Sequence, residues 1–304
     1  MASVKNYFSL VKFSHTIFAL PFALIGFFLS VAHGGFFASQ SSLVPTIFLQ
    51  NETASLFLKF LLVVICMVSA RSAAMGFNRW LDKNFDAKNP RTAIREIPAG
   101  IISPNKALRF VIVNCLVFIT CTWFINTICF LLSPVALFII LFYSYTKRFT
   151  ALCHVVLGMG LALAPIGAYL AVTGKFDVLP ILFSFTVLFW VSGFDIIYAL
   201  QDVEFDQSHQ LYSIPAVLGK GRALKVSRVL HVASAAMVIV AAFVGSFGLF
   251  YWLGVAVFVG MLIYQQSIVK PNDLSKVNLA FMTANGIASV IFSIFVLADL
   301  FVKW

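Results

Sequence analysis

Nine long apolar runs take up most of the chain, at roughly 16–38, 54–77, 108–126, 128–146, 152–173, 178–200, 226–247, 249–269 and 277–302. About 20 apolar residues suffice for a helix to cross the hydrocarbon core of a bilayer. Lipid offers no hydrogen-bond partner, so the backbone of each spanning segment must satisfy itself. Period-two alternation is absent, which predicts helices rather than barrel strands. Composition agrees: 61% of the 304 residues are hydrophobic and 11% charged, against about 25% charged in a soluble domain. The runs leave no length for a soluble domain or a long linker. The expected fold is all-α and integral to the membrane, with nine transmembrane helices in one bundle and residues 1–304 as a single domain.

Lys5 and Lys12 precede the first run, and Ser30-Val31-Ala32 resembles a cleavage site. The run exceeds the roughly 7–15 residues of a signal core, so it reads as an uncleaved first span. The five cysteines form no CxxC pair and read as small buried residues. The five histidines (His15, His33, His154, His209 and His231) lack ligand spacing, so no zinc site is expected.

Basic residues alternate between connections. Seventeen of the 21 Lys and Arg fall before the first run or after the even-numbered ones, while Lys59, Lys175 and Lys303 lie on the other side. The positive-inside rule then puts the N-terminus and the exits of even-numbered spans in the cytoplasm, and the C-terminus outside. The expected compartment is a bacterial inner membrane. The net charge of +10 needs no nucleic acid to explain it.

The acids are more informative. Six of the 11 Asp and Glu fall in two short stretches, Asn78-Arg-Trp-Leu-Asp82-Lys-Asn-Phe-Asp86 and Asp195-Ile-Ile-Tyr198-Ala-Leu-Gln-Asp202-Val-Glu204-Phe-Asp206. Both lie where an even-numbered span reaches the cytoplasmic side, opening Asp-rich loops at about 78–107 and 195–225. On a helix, 78, 82 and 86 share one face, and so do 195, 202 and 206. Like charges at that spacing repel, and a cation relieves them. Clustered carboxylates with an amide oxygen suit Mg²⁺, which takes one or two carboxylates plus substrate phosphates.

Basic residues accompany both clusters: Lys83, Arg91 and Arg95 near the first, and Lys147-Arg148 ending the fourth run. Forked guanidinium groups and compact ammonium charges suit a diphosphate held by bridging metals. Positive-inside topology accounts for the same residues without a ligand. Arg71 differs, because it lies inside the second run, where a charge is costly and marks a functional site. It precedes Asn78 by two helical turns, so it faces the same side about 10 Å deeper. Its expected partner is an anion.

These residues resemble the UbiA superfamily of intramembrane aromatic prenyltransferases, whose motifs read NxxxDxxxD and DxxYxxxDxxxD. Asn78, Asp82 and Asp86 match the first, and Asp195, Tyr198, Asp202 and Asp206 the second, without substitution. Asn89-Pro90-Arg91-Thr92, Arg95 through Gly100 and Tyr145-Thr146-Lys147-Arg148 are similar to the family as well. Nine spans is the family's count, so the resemblance covers essentially the whole chain.

The resemblance implies a central substrate cavity in which Mg²⁺, held by Asn78, Asp82, Asp86, Asp202 and Asp206, grips a polyprenyl diphosphate. Arg91, Arg95, Lys147, Arg148 and Lys83 are the expected diphosphate contacts. Asp195, with Tyr198 beside it, is expected to orient or deprotonate a phenolic acceptor, and Arg71 to hold its carboxylate. The block at Leu211-Tyr212-Ser213-Ile214-Pro215 is similar to the 4-hydroxybenzoate branch. A dihydroxynaphthoate carboxylate, as in a futalosine-type menaquinone route, is the alternative acceptor. Both acceptors carry the carboxylate that Arg71 would meet. The expected partners are therefore the diphosphate, an aromatic carboxylate and the bilayer, with no obligate protein partner. A transporter would instead carry its ionisable groups near mid-membrane, and a non-catalytic binding protein would not need intact motifs.

Overall fold

The computed structural model describes residues 4–11, 18–32 and 52–302. Lys12, His15, His33 and Lys303 lie outside the described residues, as do both ends of the first expected span. Among the described residues the secondary structure is helical, apart from an isolated bridge between Lys270 and Asp273. Eight helices among the described residues are long and apolar enough to cross a membrane, and a shorter apolar helix lies within the first expected span. Nine spans are consistent with this set.

In chain order the first helices are α1 (Val4–Leu10), α2 (Leu20–Ala32), α3 (Glu52–Leu81), α4 (Lys83–Asp86), α5 (Pro104–Ile125) and α6 (Thr127–Thr146). Then come α7 (Cys153–Thr173), α8 (Val178–Ala199), a 3₁₀ turn (Leu200–Asp202), α9 (Val203–Ser208) and α10 (Ile214–Leu218). The last are α11 (Lys220–Val244), α12 (Leu249–Ile268), a π-helical turn (Leu279–Ala284) and α13 (Asn285–Phe301). The chain forms two compact units, one of Met1–Thr16 with Ser41–Tyr145 and one of Ile17–Gln40 with Thr146–Trp304.

In the first unit α3 packs along α5. It runs four residues beyond the apolar run, to Leu81. The extra turn is polar in sequence but packs on protein: Arg79 is buried, Trp80 stacks on Phe77, and Trp80 also meets the cluster of Leu10, Ile97, Ile102 and Ala107. This turn carries Asn78.

In the second unit α8 is flanked by α7 and α11, α2 lies against α7, and α12 pairs with α13. Phe22, Phe183, Trp190, Phe258 and Phe292 are fully buried in one aromatic core. Apolar contact drives little association in lipid, where close packing and interhelical hydrogen bonds hold helices together. Asn285 Oδ1 accepts from Trp190 Nε1 at 2.9 Å and from Gln265 Nε2 at 2.5 Å, joining α8, α12 and α13. Helix α11 starts at Lys220, six residues before the expected 226, because Ala223, Leu224 and Ser227 are buried there.

At Gly26, α2 crosses α7 so closely that a Cβ would strike the backbone of Pro165. Overpacking of this kind costs about 1–3 kcal/mol. Gly26→Leu is therefore expected to lower the unfolding temperature in detergent by several degrees, measured by the loss of far-UV ellipticity on heating. An unchanged midpoint would mean that the two helices separate without cost.

Candidate active site

The first motif continues the α3 ladder. Asp82 N–H donates to the Asn78 carbonyl at 2.9 Å and Asp86 N–H to the Asp82 carbonyl at 2.8 Å, so the three residues lie on one helical face. Asn78 Nδ2 donates to Asp82 Oδ2 at 3.2 Å. Asp82 itself (φ −91°, ψ 6°) leaves α-helical geometry for the bridge region, where active-site residues are often found. Asp86 is buried and receives Arg95 Nη1 on Oδ1 at 2.6 Å. Its Oδ2 is enclosed with no hydrogen-bond partner among the described residues. The loop is fixed by Thr92 Oγ1 donating to the Asp86 carbonyl at 3.1 Å and by Arg91 N–H donating to Asn89 Oδ1 at 2.9 Å.

The second motif repeats this arrangement within its own unit. It was expected on one continuous helix, but it spans the end of α8, the 3₁₀ turn and α9. Asp202 (φ −107°, ψ 7°) has the same bridge-region backbone as Asp82. Tightening to three residues per turn rotates Asp202 and Asp206 away from a strict α-helical register with Asp195. Asp206 is fully buried. Its Oδ1 meets Lys147 Nζ at 2.7 Å and its Oδ2 accepts from Ser213 Oγ at 2.9 Å. In each motif, then, the last Asp is sealed inside with a cation and the middle Asp is half-buried at a break in the helix.

The other expected residues are placed less uniformly. Asp195 is half-buried, and its Oδ2 lies 2.7 Å from His154 Nδ1. Tyr198 lies against Phe281 of the π turn, with ring centroids 4.2 Å apart. Arg71 lies within α3, within electrostatic reach of Tyr143, and its Nε is enclosed without a hydrogen-bond partner among the described residues. Lys83 folds back over the Trp80 ring, 4.9 Å from its centroid. Arg91 is exposed and Arg148 half-buried. Two residues that were not singled out enter the picture. Arg79, assigned to topology, is 4% exposed and lies within electrostatic reach of Asp86, Arg95 and Glu96. His154, set aside for want of metal spacing, holds Asp195.

The donor set fits Mg²⁺. Both motifs offer carboxylates and the first also an amide oxygen, all hard ligands, and Asp86 has an enclosed oxygen unmet among the described residues. Among the described residues no three His, Cys, Asp or Glu gather closely enough to hold a metal on their own.

Residues 19–287 match the UbiA prenyltransferase family. Over 228 residues, 75% of this chain and 79% of the relative, the sequence is 29% identical to a 4-hydroxybenzoate octaprenyltransferase of Tolumonas auensis. The fold matches a UbiA homolog of Aeropyrum pernix K1 with a TM-score of 0.75 and 30% identity, covering 94% of this chain and 96% of that one. It also matches a UbiA homolog of Archaeoglobus fulgidus solved with DMAPP and Mg²⁺, with a TM-score of 0.70 and 20% identity over 98% of this chain and 100% of that one. The motifs, the helices that carry them and the length of these matches agree: the chain belongs to the UbiA prenyltransferase family and is a multi-pass membrane prenyltransferase.

Proposed function

We propose that the protein transfers a polyprenyl group from polyprenyl diphosphate to 4-hydroxybenzoate in quinone biosynthesis, with residues 1–304 acting as one catalytic domain. The observation that carries this reading is the shared build of the two motifs, each with a sealed Asp–cation pair beside a half-buried Asp. The relatives named as 4-hydroxybenzoate octaprenyltransferases support the acceptor, and the half-buried Arg71 within α3, its Nε enclosed, supports a carboxylate on it. The reaction belongs to the cytoplasmic face of a bacterial inner membrane, where the basic connections put both Asp-rich loops.

Asn78, Asp82, Asp86, Asp202 and Asp206 would hold Mg²⁺, which supplies positive charge against the leaving diphosphate. Arg95 and Lys147 add positive charge from the protein, and Arg91, Arg148 and Lys83 are the further diphosphate contacts. The allylic C–O bond breaks with its electron pair leaving on the diphosphate. A ring carbon of the acceptor bonds to the carbocation and then loses its proton. Asp195 accepts a hydrogen bond or proton from the phenol, which enriches the ring, Tyr198 lines this position, and Arg71 orients the acceptor through its carboxylate. Spans of low polarity keep water from the carbocation.

Detergent-purified protein given Mg²⁺, a polyprenyl diphosphate and 4-hydroxybenzoate is expected to form a prenylated product visible by mass spectrometry, and EDTA is expected to abolish it. Product only with a dihydroxynaphthoate carboxylate would move the acceptor to a menaquinone route. Folded protein that failed even to bind the diphosphate would end the reading.

A further inference from the structure

Asp195 does not stand alone in its unit. Its Oδ2 lies 2.7 Å from Nδ1 of His154, which is buried in the first turn of α7. The other ring nitrogen, Nε2, faces the backbone N–H of Ile214 at 3.3 Å. A backbone N–H can only donate, so Nε2 must accept. The proton of the neutral ring then sits on Nδ1 and points at the carboxylate. An imidazolium would set Nε2–H against Ile214 N–H, so this geometry favours the neutral ring and leaves the negative charge on Asp195.

The anchor on the far side is rigid. Ile214 begins α10, and the preceding Ser213 caps that helix by accepting from Ala216 N–H at 3.2 Å. Ser213 Oγ also donates to Asp206 Oδ2 at 2.9 Å. Tyr212 N–H donates to the Lys147 carbonyl at 2.7 Å, and Cys153 Sγ lies 3.6 Å from the Tyr212 carbonyl. The segment 212–214 is thus tied to the chain entering α7, and His154 spans the gap from it to α8.

We propose that His154 is the positioning residue of the acceptor half-reaction: its Nδ1–H fixes Asp195 Oδ2, so that Oδ1 is presented, still anionic, to the hydroxyl of the aromatic acceptor. A carboxylate so fixed is pre-organised, and mispositioning a catalytic group by about 1 Å can cost about 10²-fold. The same bridge couples Asp195 to the segment that holds Asp206, which keeps the acceptor and diphosphate ends of the second motif in one register.

The inference rests on the function proposed above, and its test separates the two. His154→Leu is expected to lower kcat for transfer about 30- to 100-fold while diphosphate binding with Mg²⁺, followed by displacement of a fluorescent analogue, moves less than about 2-fold. His154→Asn, whose amide places an N–H near the Nδ1 position, is expected to keep a third or more of the activity. In an Asp195→Asn background, His154→Leu is expected to add almost nothing. In ¹⁵N-histidine spectra His154 should show a protonated Nδ1 and an unprotonated Nε2. A fully active His154→Leu protein, equal losses in the Leu and Asn variants, additive losses with Asp195→Asn, or a protonated Nε2 would overturn the inference. Wild-type protein that transfers nothing would sink the proposed function instead, and the nitrogen signals would then judge the His154–Asp195 bond on their own.

Discussion

Asp82→Ala and Asp202→Ala are each expected to leave a folded membrane protein that transfers prenyl groups at least about 10³-fold more slowly. Losing the charge stabilisation of a bound cation removes several kcal/mol from the transition state, and each 1.36 kcal/mol is a decade in rate. These two residues are singled out because of their shared build. Both sit at a break in the helix with bridge-region backbone, and both are half-buried rather than sealed. A half-buried carboxylate leaves no sealed cavity when it is cut back to alanine, so the unfolding midpoint should move by only a few degrees. Turnover followed against Mg²⁺ concentration, beside a melting curve for each variant, checks both halves of the prediction. A well-folded Asp82→Ala or Asp202→Ala protein at wild-type rate would defeat the metal assignment.

The spans were legible because lipid leaves the backbone few options: a long apolar run without alternation has to be a helix. Their ends were less legible, since hydropathy marks contact with lipid and not the end of the hydrogen-bond ladder. The last turn of α3 is polar in sequence yet helical, because Arg79 and Trp80 pack on protein. The motif residues could be picked out by local spacing. What spacing could not show is which of them pair. Asp86 with Arg95 and Asp206 with Lys147 are ion pairs across 9 and 59 residues, formed between groups that had been assigned separately to metal and phosphate. His154 was out of reach for the same reason, with partners 41 and 60 residues away. The 3₁₀ turn under Asp202 has no glycine or proline to announce it.

Lys147→Met is expected to cost both stability and activity, and a second substitution should separate the two. Asp206 is 0% exposed, and Lys147 Nζ, on a side chain 33% exposed, is its cation at 2.7 Å. Removing one partner of a buried pair leaves an uncompensated charge and costs about 3–5 kcal/mol. Here the lysine is a third exposed, so about 2–3 kcal/mol is expected. Neutralising the stranded carboxylate with Asp206→Asn should return most of that stability, since the amide keeps the bond from Ser213 Oγ without the charge. Activity should not return, because in the proposed reaction Lys147 opposes the charge growing on the diphosphate and Asp206 serves the metal. The double variant is therefore expected to melt near the wild type while transferring at least about 10²-fold more slowly, the scale of losing one preorganised charge contact. Melting curves and initial rates for the two single variants and the double variant complete the cycle. If the double variant recovered its rate along with its stability, the Lys147–Asp206 pair would be a clasp for the fold and would have no part in the chemistry.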